Sequence, residues 1–146
     1  MKATAYLELQ KKHQKEISDF PIAYAFSKEQ LEEALIKLGV KSTDECVTMT
    51  GHGDIVKRED APKFRAMLKR HTKEVRDLLL NNEGDAEAAF LYEMDNHEYA
   101  INWDGDDEVL AVFALDYDDL EKMNLEGAYR RARNKHMKNA TEWGMI

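Results

Sequence analysis

The chain has 146 residues, 43% of them apolar, a single cysteine and a formal net charge of -8, the size and balance of one globular domain. Cys46 standing alone excludes an internal disulfide framework. No run approaches the roughly 18 consecutive apolar residues of a spanning helix, and residues 1–14 are polar and amphipathic rather than signal-like. The expectation is a single domain over 1–146, in the cytosol and away from membranes.

In chain order, Tyr6, Leu9, His13, Ile17 and Phe20 recur every three or four positions, which predicts an amphipathic helix over Ala3–Ser18. Pro21 ends it and Ile22–Phe26 reads as a short extended segment. Ser27 with Gln30 has capping-box spacing, Leu31, Ala34, Leu35 and Leu38 form a buried stripe, and Gly39 supplies a left-handed stop. Cys46–Thr50 and Ile55–Lys57, separated by Gly51-His52-Gly53-Asp54, predict a β-hairpin.

Pro62 fits a first helical turn, and Phe64, Met67, Leu68, His71, Val75, Leu78 and Leu79 continue one long helix to Asn81-Asn82. A further helix is expected from Asp85 to about Asn96, a strand over Glu98–Asn102, and a turn at Asp104-Gly105-Asp106-Asp107. Glu108–Ala114 suits a short helix or a buried strand, and helix is favoured by the aspartates ahead of it. Asp116 or Asp118 then caps a last helix from about Asp119 to Trp143, interrupted at Gly127. The fold class is α+β, a helix-dominated single domain with a small antiparallel β-sheet from the segments near Ile22, Val47, Ile55 and Tyr99.

The charge is strongly segregated. Residues 83–121 hold 14 carboxylates and no lysine or arginine, whereas 122–146 hold six basic residues against two acidic. A solvated, helix-capping face is the plain use of such a block. The sharper use is mimicry of nucleic acid, whose duplex presents a charge every ~1.7 Å of axis. Apolar residues interleaved with the carboxylates, among them Phe90, Leu91, Tyr92 and Val109–Leu115, mean that the segment folds. The candidate partner-binding residues are Glu93, Asp95, Asp104, Asp106, Asp107, Glu108, Asp116, Asp118 and Asp119.

The alternative is nucleic-acid binding through Arg130, Arg131, Arg133, Lys135 and Lys138 beside Tyr129. Net charge -8 counts against it, and Tyr129, Ala132, His136 or Met137, Ala140 and Trp143 at helical spacing give that segment a core-facing stripe, with its cations in water or paired to the acidic block. Glu93 and His97 at i, i+4 are the nearest thing to a metal pair, which would suit a metal-dependent enzyme, but the two-histidine zincin pattern is missing. The Asp104–Glu108 loop fails EF-hand position counting, and the glycine turn matches neither a P-loop nor a dinucleotide fingerprint. Cys46 has no base nearby in sequence and reads as a small buried residue. The sequence therefore carries no catalytic residues, cofactor or metal site, and a non-enzymatic binding protein is the leading expectation.

Ala25-Phe26-Ser27-Lys28-Glu29-Gln30-Leu31-Glu32-Glu33, then Lys37-Leu38-Gly39-Val40, the glycine turn followed by Ile55, Phe64 with Met67–His71, and Phe90-Leu91-Tyr92-Glu93 with Asn96-His97-Glu98-Tyr99 form a pattern over residues 1 to about 115. It resembles a family of small proteins of unknown function encoded by bacteriophages, prophages and gut bacteria. The resemblance implies a mobile-element accessory protein in the cytoplasm of a bacterial host. It also implies action by binding a host protein, such as a nucleic-acid-handling defence enzyme, as inhibitors of the anti-CRISPR or anti-restriction type do.

Overall fold

The computed structural model describes residues 3–97 and 105–142. Among them the fold is α+β and helix-dominated, with a small three-stranded antiparallel sheet. The chain forms two compact units, Met1–Gln10 with Thr72–Ile146, and Lys11–His71. Helices α1 (Thr4–Asp19) and α3 (Ala61–Asn81) contribute residues to both.

In the unit Lys11–His71 the strands β1 (Ile22–Tyr24), β2 (Cys46–Val47) and β3 (Asp54–Lys57) lie in the order β1-β3-β2. Pairing sets Ile22 and Val47 opposite Val56, and Ala23 opposite Ile55. Alternation along each strand therefore gives the sheet two apolar faces. Ile22, Val47 and Val56 pack with Ile17, Phe20, Phe64 and Met67, whereas Ala23, Cys46 and Ile55 pack with Ala34, Leu35 and Leu38 of α2 (Lys28–Leu38). Strand β2 is shorter than the expected Cys46–Thr50. The Asp54 carboxylate takes the Met49 amide at 2.8 Å and the Thr50 amide at 3.1 Å, which commits the backbone there to a turn instead of a ladder.

Helix α2 begins as expected, with the Ser27 hydroxyl accepting the Gln30 amide at 3.2 Å. Gln30 reaches one residue further back than a capping box requires and accepts from the Phe26 amide at 2.7 Å. Gly39, at φ 72°, ends the helix, with Val40 N–H closing onto Leu35 C=O.

The other unit is built on α4 (Glu83–Asn96) and α7 (Glu126–Glu142). Helix α4 starts two residues earlier than the expected Asp85, because the Asn82 side chain caps it by accepting the Asp85 amide. Ala86 and Ala89 of α4 and Ala128 and Ala132 of α7 are all buried, and these small side chains let helices approach closely. Phe90, Met94, Val109, Leu110 and Phe113 fill the rest of that core with Tyr6 and Leu79. Phe90 alone, fully buried and edge-on to both Phe113 and Tyr129, contributes roughly 2–3 kcal/mol through removal of its surface from water.

Of the expected Glu108–Ala114, residues Glu108–Val112 are helical, as favoured, within α5 (Gly105–Val112), while Phe113 and Ala114 form the turn that follows; Gly105 and Asp106 belong to the helix and not to a turn. The last helix is broken, but not at Gly127. Helix α6 (Tyr117–Lys122) ends two residues before Asn124, which adopts φ 57°, and α7 carries Gly127 in its first turn. Asparagine tolerates the left-handed region, and Leu125 N–H closes onto Leu120 C=O while its side chain is buried. The expected strand over Glu98–Asn102 and its Tyr99, together with Trp143, lie outside the described residues.

Candidate functional site

Folding divides the acidic block between inward and outward uses. Glu93 is buried: Tyr6 donates its hydroxyl to Oε1 at 2.8 Å, Gln10 donates to the same oxygen at 3.2 Å, and His97 Nε2 stands 3.2 Å from Oε2. Burial, then the hydrogen bond to Glu93, drives the Tyr6 hydroxyl far above the ordinary tyrosine range. Asp106 is buried as well, accepting from the hydroxyls of Tyr129, at 2.6 Å, and Tyr117. Burial and that contact push Tyr117 up to about 12. Neither Glu93 nor Asp106 presents its charge on a surface, so the expected acidic face does not include them. A carboxylate enters a core when enough donors converge on it, and apart from His97 the groups named here come from residues 11 to 87 positions away.

Asp95 meets Nδ1 of the fully buried His136 at 2.6 Å. Asp116 and Asp119 form the capping box of α6, each accepting the other's amide, at 3.0 and 2.9 Å. Asp107, Glu108 and Asp118 are exposed, as is Glu121. They lie on α5 and α6, whose first turns are tied by the contact of Tyr117 with Asp106. Asp104 lies outside the described residues.

Sequence reading missed the part played by Glu87. It is buried on α4 and held from α7 by Arg131 Nε at 2.6 Å and by the Lys135 ammonium, while Arg131 also reaches Glu83 at 3.5 Å. Burial by itself would raise the Glu87 carboxyl. The hydrogen bonds from Lys135 and Arg131 outweigh it and hold the group below the usual carboxylate range. The available signal was four-residue spacing: Glu83 and Glu87 share a face, as do Arg131 and Lys135.

The five candidate nucleic-acid residues are thereby separated. Arg131 and Lys135 are committed to Glu87, whereas Arg130 and Lys138 are exposed. Arg130 and Arg133 line a cleft of about 300 Å³ with Tyr117 and Tyr129, but Glu121 and Glu126 line it too. Cys46 is buried, and burial pushes its thiol above the ordinary range, the reverse of nucleophile activation. Among the described residues no three His, Cys, Asp or Glu side chains are grouped to hold a metal ion, and no helix is long and apolar enough to cross a membrane.

No solved structure matches the chain. Residues 5–136 match the sequence profile described as "Family of unknown function (DUF7659)", and the match spans nearly the whole chain: the protein belongs to that family.

Proposed function

We propose that this protein is a non-enzymatic accessory protein of a phage or other mobile element that binds a host protein through the acidic surface of α5 and α6. The target class is a nucleic-acid-handling defence enzyme, which the protein inhibits by occupying a channel that normally holds nucleic acid. The observation that carries the reading is the set of carboxylates left over after folding. Asp107, Glu108, Asp118 and Glu121 are exposed and take part in no capping box or ion pair among the described residues. Their stretch of chain contains no basic residue. An array of this kind steers a basic partner and gives association that weakens with salt. The resemblance to small phage and prophage proteins supports the biological setting.

The test is recovery of partners from bacterial lysate by tagged protein at low and high salt, with and without nuclease. The variant D107K/E108K/D118K/E121K reverses the exposed charges and spares Asp116 and Asp119, which cap α6. The expected result is one nucleic-acid-handling enzyme that is recovered despite nuclease, released by high salt and absent with the variant. Recovery unaffected by the charge reversal overturns the reading. Recovery abolished by nuclease transfers the function to Arg130, Arg133 and Lys138 on α7.

A further inference from the structure

The strand order leaves β1 at an edge of the sheet. Its pairing with β3 and the bond from Ala25 N–H to Gly53 C=O make Ala23 and Ala25 the hydrogen-bonded positions. Tyr24, between them, turns its backbone N–H and C=O to the outer side. Proteins usually blunt such an edge; here the Lys37 ammonium covers the Ile22 carbonyl, at 3.2 Å. Beside the edge runs a cleft of about 420 Å³ between β1 and α2, lined by Tyr24, Phe26, Gln30, Glu33, Ala34 and Lys37 among others.

Two aromatic side chains stand out at this cleft, Tyr24 at 56% and Phe26 at 75% exposure. Phe26 is held in place, since its amide donates to Gln30 Oε1 and its ring lies over Gly53, where an added methyl carbon would come within 2.5 Å of it. Ordered, exposed aromatics are the usual anchors of protein interfaces. Lys37 is engaged by the Ile22 carbonyl, whereas Glu33 has no cation paired to it among the described residues.

We propose that the open edge of β1 is a docking site for an extended segment of a partner protein, apolar and carrying lysine or arginine, which adds a strand to the sheet. Main-chain bonds to Tyr24 supply affinity, the cleft takes an apolar side chain and Glu33 selects a basic one. This site is distinct from the α5–α6 surface and does not depend on it.

The test is fluorescence anisotropy of the intact protein with three labelled heptapeptides: one alternating lysine and valine, its glutamate and valine counterpart, and the lysine peptide N-methylated at its central residue. The lysine peptide is expected to bind at least about tenfold more tightly than either of the others. Phe26→Ala and Glu33→Lys are each expected to weaken it by about fivefold or more with unchanged circular dichroism, while D107K/E108K/D118K/E121K leaves it unaltered. No binding, equal binding of the three peptides, or insensitivity to Glu33→Lys overturns the proposal. So does loss of binding only in the α5–α6 variant, or a dimer in sedimentation that Glu33→Lys dissociates. Failure of the partner reading at α5–α6 shows instead in the lysate experiment, where the two Phe26 and Glu33 variants serve as controls.

Discussion

Ala114 follows α5 at φ 55°, a left-handed conformation that costs an L-residue roughly 1–2 kcal/mol. The cost is borne because Leu115 N–H closes onto Leu110 C=O and its side chain is buried, while Arg76 donates to the Ala114 carbonyl. Replacing Ala114 by glycine removes the steric cost and keeps every one of those bonds. The expected outcome is a gain of about 1 kcal/mol in urea unfolding, with α5 unchanged in helicity. Gly53 is the opposite case: φ is 86° and the Phe26 ring occupies the space of a side chain. Gly53→Ala is expected to cost at least about 1 kcal/mol, read by the same unfolding curves. Asp54 makes a third residue-scale prediction. Burial opposes its ionisation, but the Thr50 hydroxyl and the Met49 and Thr50 amides hold its carboxyl down at about 2. A depressed folded-state value stabilises above the unfolded value of roughly 3.9 and stops doing so as pH falls toward the folded one. The stability gap between wild type and Asp54→Asn should therefore be full at pH 5 and above and close as pH falls to about 2; a gap independent of pH would contradict the assignment.

At the scale of elements, α4 and α7 join through alanines in the core and through Glu87 at the margin. Removing the carboxylate leaves Arg131 and Lys135 without their shared anion. Their side chains are 45% and 46% exposed, so water recovers part of the loss. Glu87→Ala is expected to cost about 1–2 kcal/mol, less than a fully buried pair would. Glu87→Gln should cost less, and its gap from wild type should narrow as pH falls below the unfolded carboxylate value of roughly 4.3, since the depressed carboxyl stabilises only while ionised. Thermal unfolding of both variants between pH 3 and 7 checks this. Helix identity at this scale was legible in sequence because apolar spacing, Ser27, Gly39 and Asp116 are local signals. The break between α6 and α7 was not, since Asn124 in a left-handed conformation looks like any other asparagine until Leu125 has a core to enter.

For the whole molecule, Cys46 offers a report on the sheet. Its thiol is buried and pushed up in pKa, so reaction with a disulfide reagent at pH 8 should be on the order of 100-fold slower than in the urea-unfolded chain. Immediate stoichiometric reaction would mean that β2 opens freely. By itself the sequence determined the α+β class, most helix positions, the hairpin at the glycine turn and the segregation of charge, all of which depend on neighbours within a few residues. Tertiary structure alone decided which carboxylates reach a surface. Glu93 and Asp106 entered the core because Tyr6, Gln10, Tyr117 and Tyr129 converge on them from distant parts of the chain. Asp107, Glu108, Asp118 and Glu121 stayed in water, where a charge keeps its hydration without needing such donors.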